Sequence, residues 1–125
     1  MKGFKILVVD GHRKVAETTA RMLISYDFEA IACCNVESAL MHLLENHEIN
    51  VVVASNCCMK GRLDGVSLIR IMRQDMELNH IIFIGVWLEE EDKQTFIESG
   101  ANAVLKMGTE ASGGSLMKTI QNLLP

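Results

Sequence analysis

Lys5-Ile6-Leu7-Val8-Val9-Asp10 is the stretch on which the reading of this chain turns. An unbroken apolar run that stops at a carboxylate fits a strand covered on both faces, because a half-exposed strand would alternate apolar and polar residues. Val15 to Ser25 follows, with Ala16, Ala20, Leu23 and Ile24 recurring on one helical face. The same alternation repeats along the chain. Glu29 to Cys33, Val51 to Ala54, Ile81 to Ile84 and Ala103 to Leu105 read as further strands. Between them, Asn35 is placed to cap a helix that turns Val36, Ala39, Leu40, Leu43 and Leu44 inward. Asp64-Gly65 opens another helix, carrying Val66, Leu68, Ile69 and Met72. Glu89 to Asp92 crowd a helix start, where negative charge suits the macrodipole, and Gly100 ends that helix. Ser115 to Leu124 is the last helix, preceded by a loop containing Gly113-Gly114.

Strand–helix units in series predict a doubly wound α/β fold, with a five-stranded parallel sheet between two helical layers. The 125 residues suit one domain, spanning 1–125. In such folds the working site lies at the carboxyl ends of the strands. That directs attention to Asp10 to His12, Cys33 to Asn35, Ser55 to Met59, Gly85 to Trp87 and Lys106 to Thr109.

Composition narrows the function. Hydrophobic residues make up 49% and charged residues 22%, with a formal net charge of -4. A mildly acidic domain is poorly suited to direct nucleic-acid binding, which needs clustered Lys and Arg. No apolar run approaches a membrane span. Met1 to Lys5 lead straight into a strand with no signal-peptide pattern, so a cytoplasmic protein is expected. The four cysteines form two vicinal pairs, Cys33-Cys34 and Cys57-Cys58, without metal-site spacing. They read as reduced thiols, with a redox role open for either pair. His42 and His47 flank a helix end as surface residues.

Taken in order, Lys5 to Asp10, Met59-Lys60-Gly61-Arg62-Leu63-Asp64-Gly65, Ile81 to Ile84 and Gly100-Ala101-Asn102-Ala103-Val104-Leu105-Lys106 resemble the segments of a response-regulator receiver domain (CheY-like), over essentially the whole chain. The resemblance implies a flavodoxin-like sheet and a place in two-component or phosphorelay signalling. It also implies a pocket in which an aspartate takes a phosphoryl group. Two acidic side chains there help hold Mg2+, a hydroxyl ends the fourth strand, and a lysine ends the fifth. Metal and lysine offset the charge on the transferring group.

Here the sequence departs from the family. The phosphoacceptor position falls on Asn56 when counted from Met59, or on Cys57 when counted from Asp64-Gly65. An amide oxygen is a poor nucleophile, and a thiolate suits Mg2+ badly. Of the acidic pair, Asp10 remains and the second position is Gly11. The hydroxyl position is Gly85, the aromatic switch position is Val104, and the lysine position is Met107, with Lys106 one residue early. One residue early on a strand is the opposite face. The family's Lys-Pro step is missing, since the sole proline is Pro125.

These departures predict a pseudo-receiver: no enzyme, no cofactor and no metal, acting by contact with a protein. Candidate partners are a histidine kinase, an output domain, another receiver or a second copy of the chain. By resemblance the output face would be built from Trp87, Lys93, Phe96, Val104 and Lys118. Trp87 is expected either to anchor a partner or to pack over the vacant pocket, filling space left by Gly85, and Met107 to plug the pocket. The alternative is a cobalamin-binding domain. Its Asp-x-His-x-x-Gly motif is partly matched by Asp10-Gly11-His12, with Ser55 and Gly85 tolerably placed, but Val15 stands where its last glycine belongs.

Overall fold

The computed structural model describes residues 4–56, 63–111 and 113–125. Five strands, β1 (Lys5–Val9), β2 (Glu29–Cys33), β3 (Ile49–Ser55), β4 (Ile82–Trp87) and β5 (Ala103–Lys106), alternate with five helices. The helices are α1 (Arg13–Ser25), α2 (Val36–Glu45), α3 (Gly65–Arg70), α4 (Glu90–Glu98) and α5 (Gly113–Leu123). All strand pairs are parallel, in the order β2-β1-β3-β4-β5. The predicted five-stranded, doubly wound architecture is therefore the observed one. Its order reverses at β1, so the carboxyl edges of β1 and β3 flank the crevice in which such sheets place their sites.

Side-chain alternation divides the core into two layers. Leu7, Val9, Val52, Ala54, Phe83 and Trp87 pack on the side of α2, α3 and α4. Ile6, Val8, Val51, Val53, Ile84, Val86 and Leu105 pack on the side of α1 and α5. Because every central strand is covered on both faces, its residues read as one apolar run. Helix starts follow their capping residues. Asn35 accepts a hydrogen bond from the Ser38 amide at 2.7 Å, and Asp64 accepts from the Ser67 amide at 2.9 Å.

Several elements differ from the sequence expectation. β3 starts at Ile49, and β4 extends to Trp87, taking in residues expected to form a loop. Gly113-Gly114 belong to the first turn of α5. Ile24 and Leu44, expected on core faces, are 52% and 60% exposed. Each lies at the last turn of its helix, where the apolar stripe has rotated off the sheet. After α3 the chain continues as a π-helical turn over Ile71–Asp75. That turn carries Arg73, whose guanidinium donates to the carbonyl oxygens of Leu78, Ile81 and Gly100 and to Asn102 Oδ1. Burial holds the Arg73 pKa below its ordinary value. Asn102 Oδ1 also accepts from the Phe83 amide at 2.8 Å, so this cluster ties the amino ends of β4 and β5 together.

Candidate functional site

At the carboxyl edge of the sheet, on the α1 and α5 side, lies a cavity of about 450 Å³. Strand register determines what faces it. Val9 pairs with Ala54, Ala54 with Gly85 and Gly85 with Val104, forming one row across β1, β3, β4 and β5. One residue further along, Asp10, Ser55 and Val86 turn to the opposite face and line the cavity, together with Met107 just beyond β5. The remainder of the described wall comes from Val8, Val9 and Val53 in the strands, from His12 and the α1 residues Lys14, Val15, Thr18 and Thr19, and from the β5–α5 loop.

Asp10 is buried, and its Oδ1 accepts from the His12 amide at 2.8 Å, which holds the turn into α1. Burial pushes the Asp10 carboxyl above its usual range, against the smaller opposing effects of the His12 amide and the His12 charge. Ser55 is buried beside it. Met107 donates its amide to the Trp87 carbonyl at 2.8 Å and sets its side chain in the cavity wall.

The sheet thus separates residues that the sequence grouped as one site. Asp10 and Met107 face the cavity. Gly11, half-buried, follows Asp10 in the β1–α1 turn. Asn56 turns the other way, its Oδ1 accepting from the Val66 amide at 3.1 Å at the start of α3. Gly85 lies under α4, where an added Cβ would stand 2.5 Å from the Phe96 ring. Val104 is half-buried on that same side, and Lys106 is exposed. Cys57 falls outside the described residues, as does Cys58.

Two expected surface residues need correcting. Phe96 is wholly buried: it fills the space above Gly85 and meets Phe83 with ring centroids 5.9 Å apart. Trp87 is 6% exposed, because β4 runs on to carry it into the apolar layer, so it presents no anchor to a partner. Nor does it fill the space at Gly85, which Phe96 has taken. Lys93 Nζ lies 5.0 Å and Lys106 Nζ 5.7 Å from the centre of the Trp87 ring, within cation–π range. Lys93 is half-buried and Lys118 exposed. The sequence reading passed over Ser55 as a neighbour of Asp10, although counting by twos from Val51 and Val53 puts it on the cavity face.

A family model for the response regulator receiver domain matches residues 6–112. The chain belongs to that family. Receiver domains are generally signalling modules without enzymatic activity of their own, and they work through protein partners in two-component systems. Solved receivers share the fold. A response regulator signal receiver domain from Bermanella marisrubri is 24% identical, with a TM-score of 0.84 over 97% of this chain and 98% of that one. The chemotaxis protein CheY4 of Vibrio cholerae is 19% identical, with a TM-score of 0.82 over 96% and 98%. A putative two-component response regulator/GGDEF domain protein is 21% identical, with a TM-score of 0.85 over 96% of this chain and 48% of that longer one. No curated protein matches the sequence. Among the described residues, no helix of this receiver is long and apolar enough to cross a membrane. Membership in this family replaces the cobalamin alternative. Asp10 also spends Oδ1 on the His12 main chain, and no bond between it and the His12 ring occurs among the described residues.

Proposed function

We propose that this receiver is a pseudo-receiver, which signals by protein contact without ordinary aspartyl phosphorylation. The observation that carries the reading is the cavity wall: among its described residues Asp10 is the single carboxylate, and Ser55, Val86 and Met107 surround it. Mg2+ requires near-octahedral oxygen coordination. One buried carboxyl, with an oxygen already committed to the His12 amide and with valine and methionine as neighbours, does not fit that ion. Gly11 adds no side-chain ligand. On this reading Ser55, level with Asp10 on the cavity face, takes the phosphoacceptor place that the sequence put at Asn56 or Cys57. Met107 replaces the ammonium, and Gly85 with Val104 is a switch pair with no hydroxyl and no aromatic ring.

The activity is contact with a histidine kinase, an output domain, another receiver or a second copy, in the cytoplasm and without direct nucleic-acid binding. The proposed contact face comprises Lys93, Lys106 and Lys118, with exposed Leu88 just before α4 and Ile97 on α4 in place of Trp87 and Phe96.

The test is incubation with a small phosphodonor and Mg2+, followed by intact mass and Trp87 emission. The expected result is no phosphoryl mass gain and no Mg2+-dependent quenching. A stoichiometric adduct would restore the phosphorylated-receiver reading.

A further inference from the structure

We propose that the cavity beside Asp10 is a binding site for a small, largely apolar, neutral molecule that carries one hydrogen-bond donor. Its volume of about 450 Å³ lies within the usual span of small-molecule pockets. It is too small for a helix of a partner protein, whose diameter with side chains is about 10–12 Å. Val15, Val53, Val86 and Met107 supply apolar wall, so burying a hydrocarbon or aromatic body there removes apolar surface on both sides from water.

The charges select against ions. Asp10 at the floor repels an anion, and among the described lining residues the one lysine, Lys14, comes from α1 at the rim. His12 and Lys14 at the rim oppose a full positive charge on the ligand. What the floor offers is the acceptor capacity of the Asp10 carboxyl, whose Oδ1 also holds the His12 amide. A neutral N–H or O–H meets that acceptor, and a hydrogen bond to a buried carboxyl is worth more than one at the surface. Val15 is 47% exposed at the mouth, so the cavity opens to solvent beside the first turns of α1.

The inference goes beyond the pseudo-receiver reading, because a domain set by protein contacts alone needs no small ligand. The phosphodonor assay is run without ligand, so either idea can fail alone. The test uses N-phenyl-1-naphthylamine, an apolar fluorophore with one N–H, and 1-phenylnaphthalene, a similar body without it. Saturable one-to-one enhancement of the amine's emission is expected, with the hydrocarbon bound about tenfold more weakly. Val15→Trp, a change at an exposed position, should occlude the mouth and weaken the amine by at least about tenfold. On the unaltered chain, amide chemical shifts should move at Asp10, Ser55, Val86 and Met107 when the amine is added. Absence of saturable binding, equal affinity for the two probes, or shifts confined to other surfaces would overturn the proposal.

Discussion

Replacing Gly85 by alanine places a methyl carbon where the Phe96 ring already is. The added Cβ would stand 2.5 Å from Phe96 Cγ, 2.7 Å from Cδ2 and 2.8 Å from Cδ1. Carbon atoms in ordinary contact are about 3.5–4.0 Å apart, so the ring must retreat by roughly 1 Å. It has little room to do so, being fully buried and set against Phe83. Overpacking of this kind costs about 1–3 kcal/mol. Reduced freedom of the unfolded chain returns about 0.4–1 kcal/mol, which leaves a net loss of about 1–2 kcal/mol. Phe96→Ala alone should cost about 3–5 kcal/mol by opening a cavity. In the double variant the new methyl has space, and the two losses should fall short of their sum by at least about 1 kcal/mol. Urea unfolding followed by circular dichroism, with the slope unchanged across the four proteins, measures all three values. Additivity within about 0.5 kcal/mol would refute the claim that Phe96 is what keeps this position a glycine. The same contact implies that Gly85→Thr would displace α4 or its phenylalanine, and its hydroxyl would stand on the face of the sheet opposite the Asp10 cavity.

Asp10→Asn should stabilise the domain near neutral pH and make no difference in acid. The native carboxyl keeps its proton to a higher pH than the unfolded one at 3.8, so unfolding releases a proton between those two values. Stability of the parent therefore falls as pH rises through that window, and urea midpoints at low and neutral pH check the sign. Arg73→Ala removes the donor to three carbonyls and Asn102, and should cost about 2–3 kcal/mol in urea unfolding. Arg73→Lys should recover only a minor part of it, because an ammonium lacks the planar fork. Burial and the neighbouring Cys34 push the Cys33 thiol up to about 12, so Cys33 should be labelled by a maleimide far more slowly than half-buried Cys34. Peptide mapping by mass spectrometry separates the two, and equal rates would contradict the burial of Cys33.

How far the sequence could be read depended on whether counting stayed inside an element. Within strands it did: the apolar runs at Lys5–Val9 and Glu29–Cys33 coincide with β1 and β2. Helix starts were equally legible, because the Asn35 and Asp64 side chains make the capping bonds their chemistry favours. The end of β3 was not. Counting back from Met59 or Asp64 crosses a loop whose length the sequence leaves free, and an error of one residue moves a side chain to the other face of the sheet. Phe96 was misjudged for a different reason. α4 turns a single large side chain fully inward, a stripe too narrow for periodicity to reveal, and its burial depends on the missing side chain at Gly85.

Arg73 acts at the end of the sheet farthest from Asp10. It rivets the corners that lead into β4 and β5 through main-chain oxygens, which every sequence possesses, together with one asparagine. Cohesion of these two strands thus has a fastening that asks nothing of the residues at the opposite rim. Substitutions at that opposite rim would therefore leave this fastening, and with it the joining of β4 to β5, in place.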